Sequence, residues 1–289
     1  MTKTLQNDTK PNGNVFAKQD DGSIQITLRI PKADIAKSKS EVLAEVQKTA
    51  TIPGFRKGKA PISKVEETIN QNELVERVLS RLLPKAYGDE IAKQKVQTAM
   101  YPKFQVVKAQ EGQDWEVIAQ TAELPEVDLG DYKNAVAGAL KAGAIWTPGK
   151  GEEEKKEPTR EQKYNLVVKA LLDTAKVKIA GVLLNEEVEA KLSQLLARLE
   201  KLGVSLESYL KSIGKNAQQL REDYLKQAVN SIKMDLVLNK IAQETDVKID
   251  PAELEKVVKA NPGADTPEQR RVVESILRRQ AVLDNLVGS

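Results

Sequence analysis

One basic segment holds most of the residues in this sequence that are suited to binding chemistry. No acidic residue occurs between Glu45 and Glu66. The five cations of this stretch are Lys48, Arg56, Lys57, Lys59 and Lys64. The centre also carries Phe55, and an exposed ring flanked by cations can stack or insert while the cations bind phosphates or carboxylates. We interpret the segment as a docking loop for an anionic partner, and a solvated connector is the alternative.

The charge of this segment limits what it can bind alone. Five phosphate contacts would give a slope of about −4 for log K against log salt concentration. A loop of this charge helps a protein to dock on RNA but could hardly hold it there without other contacts.

The remaining ionisable residues give little indication of a catalytic site. The carboxylates cluster as neighbours, in Glu66-Glu67, Glu152–Glu154 and Glu186-Glu187. Adjacent side chains on a helix point in different directions, so these clusters are typical of solvated faces. Lys57 or Lys59 would need a desolvated pocket to act as a Schiff-base lysine, and an exposed loop does not supply one.

The composition excludes several classes of function. The 289 residues include no Cys and no His, so common zinc, haem and iron–sulfur sites and histidine-based triads are absent. We therefore expect no metal, no cofactor and no enzyme activity. The net charge of +3 excludes a strongly basic nucleic-acid coat. No apolar run approaches the roughly 20 residues of a membrane span, and the first residues lack a signal peptide's apolar segment. We expect a cytoplasmic protein without a membrane partner.

The elements around the basic loop predict an α+β domain over residues 15–134, after a flexible N-terminus over residues 1–14. Ile24, Ile26, Leu28 and Ile30 alternate with polar residues after an Asp-Gly turn, which indicates a β-hairpin. The further predicted elements are a helix over 32–49, a short helix from Pro61 to Ile69, a longer helix capped by Asn72 and interrupted or kinked near Pro84, and strands over 104–108 and 115–124 joined by a turn at 111–114.

A change of composition marks the second half of the chain. Residues 135–158 are rich in Ala and Gly and then strongly hydrophilic, which predicts a linker. Residues 159–289 show helical periodicity throughout, and the helix-start signals are a capping-box pattern at Thr159–Gln162, Asp250-Pro251 and Thr266-Pro267. Because residues 161–289 contain no Phe and no Trp, the apolar faces of this predicted all-helical domain are aliphatic.

The basic loop resembles the signature of the bacterial trigger factor family, Gly-Phe-Arg-x-Gly-x-x-Pro. The matching residues are Gly54, Phe55, Arg56, Gly58 and Pro61. Tyr101-Pro102 and residues 124–132 look like the end of that family's ribosome-binding domain, and the helical region resembles its C-terminal domain by pattern. The resemblance covers most of residues 15–289. It implies a ribosome-binding α+β domain with a small sheet and long helices, followed by an all-α substrate-holding domain with helical arms.

The resemblance implies an ATP-independent chaperone that docks at the ribosome exit tunnel, on a ribosomal protein and adjacent ribosomal RNA. Phe55, Arg56 and Lys57 would make the principal contacts. Gly54, Gly58 and Pro61 would shape the loop, and Lys59 would add charge. Aliphatic helical surfaces would shield unfolded or nascent polypeptides. Since the chain has no Gly-x-x-x-x-Gly-Lys-Ser/Thr signature, we expect release without ATP.

The chain departs from the family at the peptidyl-prolyl isomerase domain. Only 28 residues separate Tyr132 from Glu161, too few for an independently stable domain without disulfides or metal. We therefore expect a linker in place of that domain and no isomerase activity.

Three points stay open in the sequence. A ribosome-independent holdase and an RNA-binding protein that uses the basic loop are the alternative functions. Unused aliphatic surface would allow a homodimer. Leu195, Leu199, Leu206, Leu210 and Val237 are candidates for client contact, but helical spacing alone favours a core role for such residues.

Overall fold

The computed structural model describes residues 13–143, 158–261 and 266–288. The chain divides into two units, of which the first ends at Leu124 and the second begins at Pro125. This division lies ten residues before the boundary that the sequence predicted at residue 134. Residues 1–12 of the predicted flexible N-terminus and residues 144–157 of the predicted linker lie outside the described residues.

The N-terminal unit is an α+β domain, as predicted. Its elements are β1 (Val15–Lys18), β2 (Ser23–Ile30), α1 (Lys32–Thr49), α2 (Ile62–Thr68), α3 (Gln71–Gln94), β3 (Lys103–Lys108) and β4 (Trp115–Ala122). The four strands form an antiparallel sheet in the order β1-β2-β4-β3. Helix α1 has the predicted bounds, and it packs against α3.

The alternating residues of β2 form the centre of the first core. Ile26 pairs with Ala119, Leu28 with Val117, and Ile30 with Trp115 across the β2–β4 ladder, so these side chains share one face of the sheet. All six are buried. Burial of this face against the helices, at about 25 cal/mol per Å² of apolar surface, is the main term that holds the unit together.

Helix α3 differs from the sequence prediction at its start and in its middle. The cap is Asn70 rather than Asn72, because the Asn70 side chain accepts a hydrogen bond from the backbone N–H of Asn72. The helix continues through Pro84 to Gln94 as one element.

In its described residues, the C-terminal unit consists of helices and one two-residue strand pair. Its elements are β5 (Val127–Asp128), α4 (Tyr132–Gly143), α5 (Arg160–Thr174), β6 (Lys176–Val177), α6 (Gly181–Lys201), α7 (Leu206–Ser212), α8 (Ala217–Glu244), α9 (Pro251–Ala260) and α10 (Pro267–Gly288). The predicted capping box at Thr159 is present, with both of its hydrogen bonds. Across the described parts of the chain, no helix is both long and apolar enough to cross a membrane.

The start of the predicted linker is helix in the structure. Residues 135–143 belong to α4, which packs against α5. Tyr132 and Val136 of α4 are buried in the second core together with Leu171 of α5 and Ile241 of α8. This packing is the reason that an Ala- and Gly-rich stretch forms an ordered helix, since burial of one apolar face outweighs the weak propensity of its glycines.

Candidate functional site

The basic loop, residues 52–61, is fixed at both ends and exposed in between. Ile52 and Ala60 are only 8% and 3% exposed and lie in the same core as Val65 of α2. The side chains of Phe55, Arg56 and Lys57 are exposed. The loop therefore presents its central side chains from two anchored ends.

Two consecutive turns shape the loop. The backbone N–H of Phe55 donates to the Ile52 carbonyl at 3.1 Å, and that of Lys59 donates to the Arg56 carbonyl at 2.9 Å. The third residue of each turn is a glycine with positive φ, +85° at Gly54 and +77° at Gly58. This is the arrangement of type II turns, which require such a residue at that position. Both glycines thus occupy turn positions that require a positive φ.

The second turn lies against the C-terminal end of α1. A Cβ atom at Gly58 would approach the Lys48 carbonyl oxygen to 3.3 Å, so the backbone passes close to the helix there. The side-chain amide of Gln47 donates to the Ala60 carbonyl at 2.6 Å. These contacts hold the loop on α1, and Pro61 then caps α2 by accepting from the backbone N–H groups of Lys64 and Val65.

Four of the five cations are available for a partner. Lys64 forms an ion pair with Glu67 at 2.7 Å. Within the described residues, Lys48, Arg56, Lys57 and Lys59 form no ion pair. The charge that a partner meets is therefore smaller than the +5 of the sequence.

An ion-pair bridge positions α2 beside the loop. The Lys39 ammonium of α1 lies 2.6 Å from the Glu66 carboxylate of α2 and 2.8 Å from Glu111 in the β3–β4 turn. Hydrogen bonds to Glu111 and then to Glu66 raise the pKa of Lys39 above its ordinary value despite partial burial. The loop is thus followed by a helix that is tied to two other elements.

Ile62 is an exposed apolar residue that the sequence analysis missed. Its exposed fraction is 43%, the same as that of Phe55. Ile52 and Ile62 are the same residue type near the two ends of the loop, yet Ile52 is buried. No local pattern separates the two, because their burial depends on how the core packs around the loop.

The second candidate surface is a group of exposed apolar residues on α6, α7, α8 and their connections. We call them the aliphatic set, and they are Leu196, Leu202, Val204, Leu206, Ile213 and Leu225. The most exposed is Leu202, at 67%. Side chains of this kind offer apolar contact without fixed hydrogen bonds, which suits partners of varied sequence.

The five sequence candidates for client contact divide between surface and core. Leu206 is exposed, and Leu195 and Leu210 are half-buried. Leu199 and Val237 are buried and belong to the interior. For those two residues, the helical spacing reflects core packing, and their interpretation as candidates for client contact is wrong.

Comparison with known proteins gives one consistent answer. A family model described as "Bacterial trigger factor protein (TF)" matches residues 14–142, and one described as "Bacterial trigger factor protein (TF) C-terminus" matches residues 148–286. Together the two models span most of the chain.

Curated relatives match a shorter stretch. Proteins named trigger factor from Streptococcus agalactiae serotype Ia, Streptococcus mutans and Streptococcus pneumoniae strain JJA are 36%, 35% and 34% identical over 109 residues. Each match covers 38% of this chain and 26% of the relative. The chain thus aligns with about a quarter of the length of the curated relatives it matches.

A solved structure shares the fold. It comes from a study of promiscuous substrate recognition in the folding and assembly activities of the trigger factor chaperone. The match has a TM-score of 0.58 and 13% identity, and it covers 100% of this chain and 99% of the other.

Proposed function

The chain belongs to the bacterial trigger factor family, and from that premise we propose that it is an ATP-independent chaperone of the cytoplasm. It docks at the ribosome exit tunnel through the basic loop and shields unfolded or nascent polypeptides on aliphatic helical surface. The observation that carries this proposal is the anchored loop, which presents Phe55, Arg56 and Lys57 to solvent.

The loop geometry supports docking on a surface made of protein and RNA. Phe55, which is 43% exposed, supplies apolar contact through its ring, and the cations at Arg56, Lys57 and Lys59 meet phosphates or carboxylates. Because two turns and the Gln47 hydrogen bond already order the backbone, little conformational entropy is lost on binding. Pre-organisation thus compensates for the modest charge.

The aliphatic set supports the shielding of clients. Burial of apolar surface contributes about 25 cal/mol per Å² whatever the client sequence is. Charged side chains such as Lys201 and Glu207 are exposed among these residues and keep the surface hydrated between clients. Binding of a client to this surface therefore does not depend on ATP.

We also propose that this chain has no prolyl isomerase domain between its two family regions. The two family-model matches leave only residues 143–147 between them, far below the length of a folded domain. In a proline-limited refolding assay, the chain should leave the slow phase unchanged, and acceleration at catalytic concentrations would contradict this proposal.

Co-sedimentation with ribosomes tests the docking proposal. We expect the unmodified chain to pellet with ribosomes and the Phe55→Ala/Arg56→Ala/Lys57→Ala variant to stay in the supernatant. The matched control is Tyr101→Ala/Lys37→Ala/Lys85→Ala, which removes one exposed aromatic ring and two exposed cations from other elements of the same unit. This control should pellet like the unmodified chain.

Two outcomes would favour the alternatives. Suppression of client aggregation without any pelleting on ribosomes would indicate a ribosome-independent holdase. Tight binding of isolated RNA at physiological salt would indicate an RNA-binding protein. Equal pelleting of the loop variant and its control would rule out the loop as the docking element.

A further inference from the structure

The C-terminal unit contains a cavity of about 760 Å³ that the proposed function does not use. Its apolar floor is formed by buried residues of three helices, with Val136 from α4, Ile241 from α8 and Val282 from α10. Cavities of roughly 300–1,000 Å³ with such linings are the usual size for small-molecule sites in proteins. Packing defects in a close-packed core are far smaller than this.

The charged residues that line the described cavity are all cations. Lys133, Lys141 and Lys163 line it, and no aspartate or glutamate occurs among its described lining residues. In the described structure, none of the three lysines forms an ion pair. Lys133 and Lys141 are exposed, so their ammonium groups remain hydrated while the apolar floor lies beneath.

Tyr132 lines the cavity next to one of these lysines. It is 5% exposed, and the Lys133 ammonium lies 6.0 Å from the centre of its ring. Burial and then the charge of Glu244 raise the pKa of the Tyr132 hydroxyl above its ordinary value, so the hydroxyl stays neutral at physiological pH. The Thr245 hydroxyl already donates to the Ile241 carbonyl. Glu244 itself is not part of the described lining, so the three lysines have no anionic partner among the residues that line the cavity.

We propose that this cavity binds the monomeric anion of a long-chain carboxylic acid. The alkyl chain lies on the apolar floor, and the carboxylate accepts charge-assisted hydrogen bonds from the lysines. A neutral apolar molecule would gain no charge-assisted bond from the three lysines, and a compact anion would leave the floor empty. The single-sign charge over an apolar floor thus fits an anionic amphiphile.

Calorimetric titration with dodecanoate at micromolar concentrations, below micelle formation, tests this proposal. We expect saturable binding with one ligand per chain. Dodecanol, which has the same chain without the charge, and acetate, which has the charge without the chain, should each bind at least about tenfold more weakly.

Three variants link the binding to this cavity. Lys133→Ala/Lys141→Ala/Lys163→Ala should weaken dodecanoate binding by at least about tenfold, because it removes the charge-assisted bonds. Lys169→Ala/Lys201→Ala/Lys226→Ala removes the same charge from exposed positions outside the cavity and should change binding less than about twofold. Ala137→Trp places a ring in the cavity from an exposed helix position and should abolish binding, while circular dichroism confirms retained helix.

Several outcomes would overturn the proposal. They are absence of saturable dodecanoate binding, equal affinity for dodecanol, equal loss in the two lysine variants, and unchanged binding in Ala137→Trp. All measurements are made on the full chain without ribosomes, so their failure is separate from failure of the docking proposal.

Discussion

The side-chain amide of Gln47 donates a hydrogen bond of 2.6 Å to the backbone carbonyl of Ala60. This bond joins the last turns of α1 to the end of the basic loop, next to the place where Gly58 approaches the Lys48 carbonyl. Ala60 is buried, so its carbonyl oxygen has little access to water in place of Gln47. The loop conformation therefore depends on a polar residue of the preceding helix.

Gln47→Ala should destabilise the N-terminal unit by about 1 to 2 kcal/mol, because it leaves the buried Ala60 carbonyl without its partner. Ribosome affinity should fall by a few-fold, since the loop loses order before binding. Urea unfolding followed by Trp115 fluorescence, in a Trp146→Phe background, measures the first effect. Gln105→Ala, on the exposed strand β3, is the control and should change neither quantity.

The residue types of the loop could be interpreted from sequence, but its attachment could not. Two glycines and an exposed Phe-Arg-Lys run predict a shaped and charged loop, and the structure has the two turns at Gly54 and Gly58. Gln47 lies 13 residues before Ala60 on a helix of mixed composition, and nothing local marks its side chain as a donor to the loop. Likewise, the sequence does not decide whether Lys64 pairs with Glu67, because the pairing depends on the rotamers of both side chains. The pair lowers the positive charge that the loop offers to a partner.

Gly58→Ala should cost more stability than Gly54→Ala. Both residues have positive φ, so each substitution incurs about 1 kcal/mol of backbone strain. At Gly58 the new methyl group also meets the Lys48 carbonyl at 3.3 Å, whereas nothing lies within 4 Å at Gly54. The same urea experiment should give about 1 kcal/mol further loss for Gly58→Ala. Equal losses would mean that the loop does not lie on α1.

The salt dependence of ribosome binding should reflect four cations rather than five. Full use of Lys48, Arg56, Lys57 and Lys59 on phosphates gives a log–log slope of at most about −3.6. Lys59→Ala should reduce that slope by about 0.7 to 0.9. Lys64→Ala is the matched control, because Lys64 already pairs with Glu67, and it should leave the slope unchanged. An equal reduction in both variants would contradict the structural distinction between them.

Glu90 should make the stability of the N-terminal unit depend on pH in the acid range. Burial raises the pKa of Glu90. Hydrogen bonds from Gln94 and Asn14 and the charge of Lys93 lower that pKa by more than burial raises it, so the net shift is downward. A carboxyl with a lowered folded-state pKa stabilises the fold above its unfolded pKa. That stabilisation is lost as the pH falls from the ordinary pKa of a glutamate through the lower folded-state pKa.

Glu90→Gln should therefore destabilise the unit by about 1 to 2 kcal/mol at pH 7, and the difference from the unmodified chain should shrink on acidification. Urea unfolding between pH 3 and pH 7 measures both. Asp89→Asn, at an exposed neighbouring position, should have a small effect at every pH. A destabilisation that is constant with pH would exclude the charged form of Glu90 as the stabilising species.

The sequence predicted those helices whose ends are set by neighbouring residues in the chain. Helix α1 has the predicted bounds, and the predicted capping box at Thr159 is present. Helix α4 was missed because its order comes from packing on α5, and the Val127–Val177 strand pair joins residues 50 apart in sequence. Periodicity also places Leu199 and Leu206 in one apolar class, although only packing decides which of them faces solvent.

Leu199 and Leu206 should separate stability from client holding. Leu199 is 6% exposed, so Leu199→Ala should cost about 2 to 4 kcal/mol in urea unfolding followed by far-UV circular dichroism. Leu206 is 38% exposed, so Leu206→Ala should cost less than about 0.5 kcal/mol. If the aliphatic set holds clients, Leu202→Ser/Leu206→Ser should suppress the aggregation of a chemically unfolded enzyme less well at equal chaperone concentration, as measured by light scattering. Both residues are exposed, so the fold should stay intact in that variant, which far-UV circular dichroism checks. Unchanged suppression would then locate client binding elsewhere on the chain.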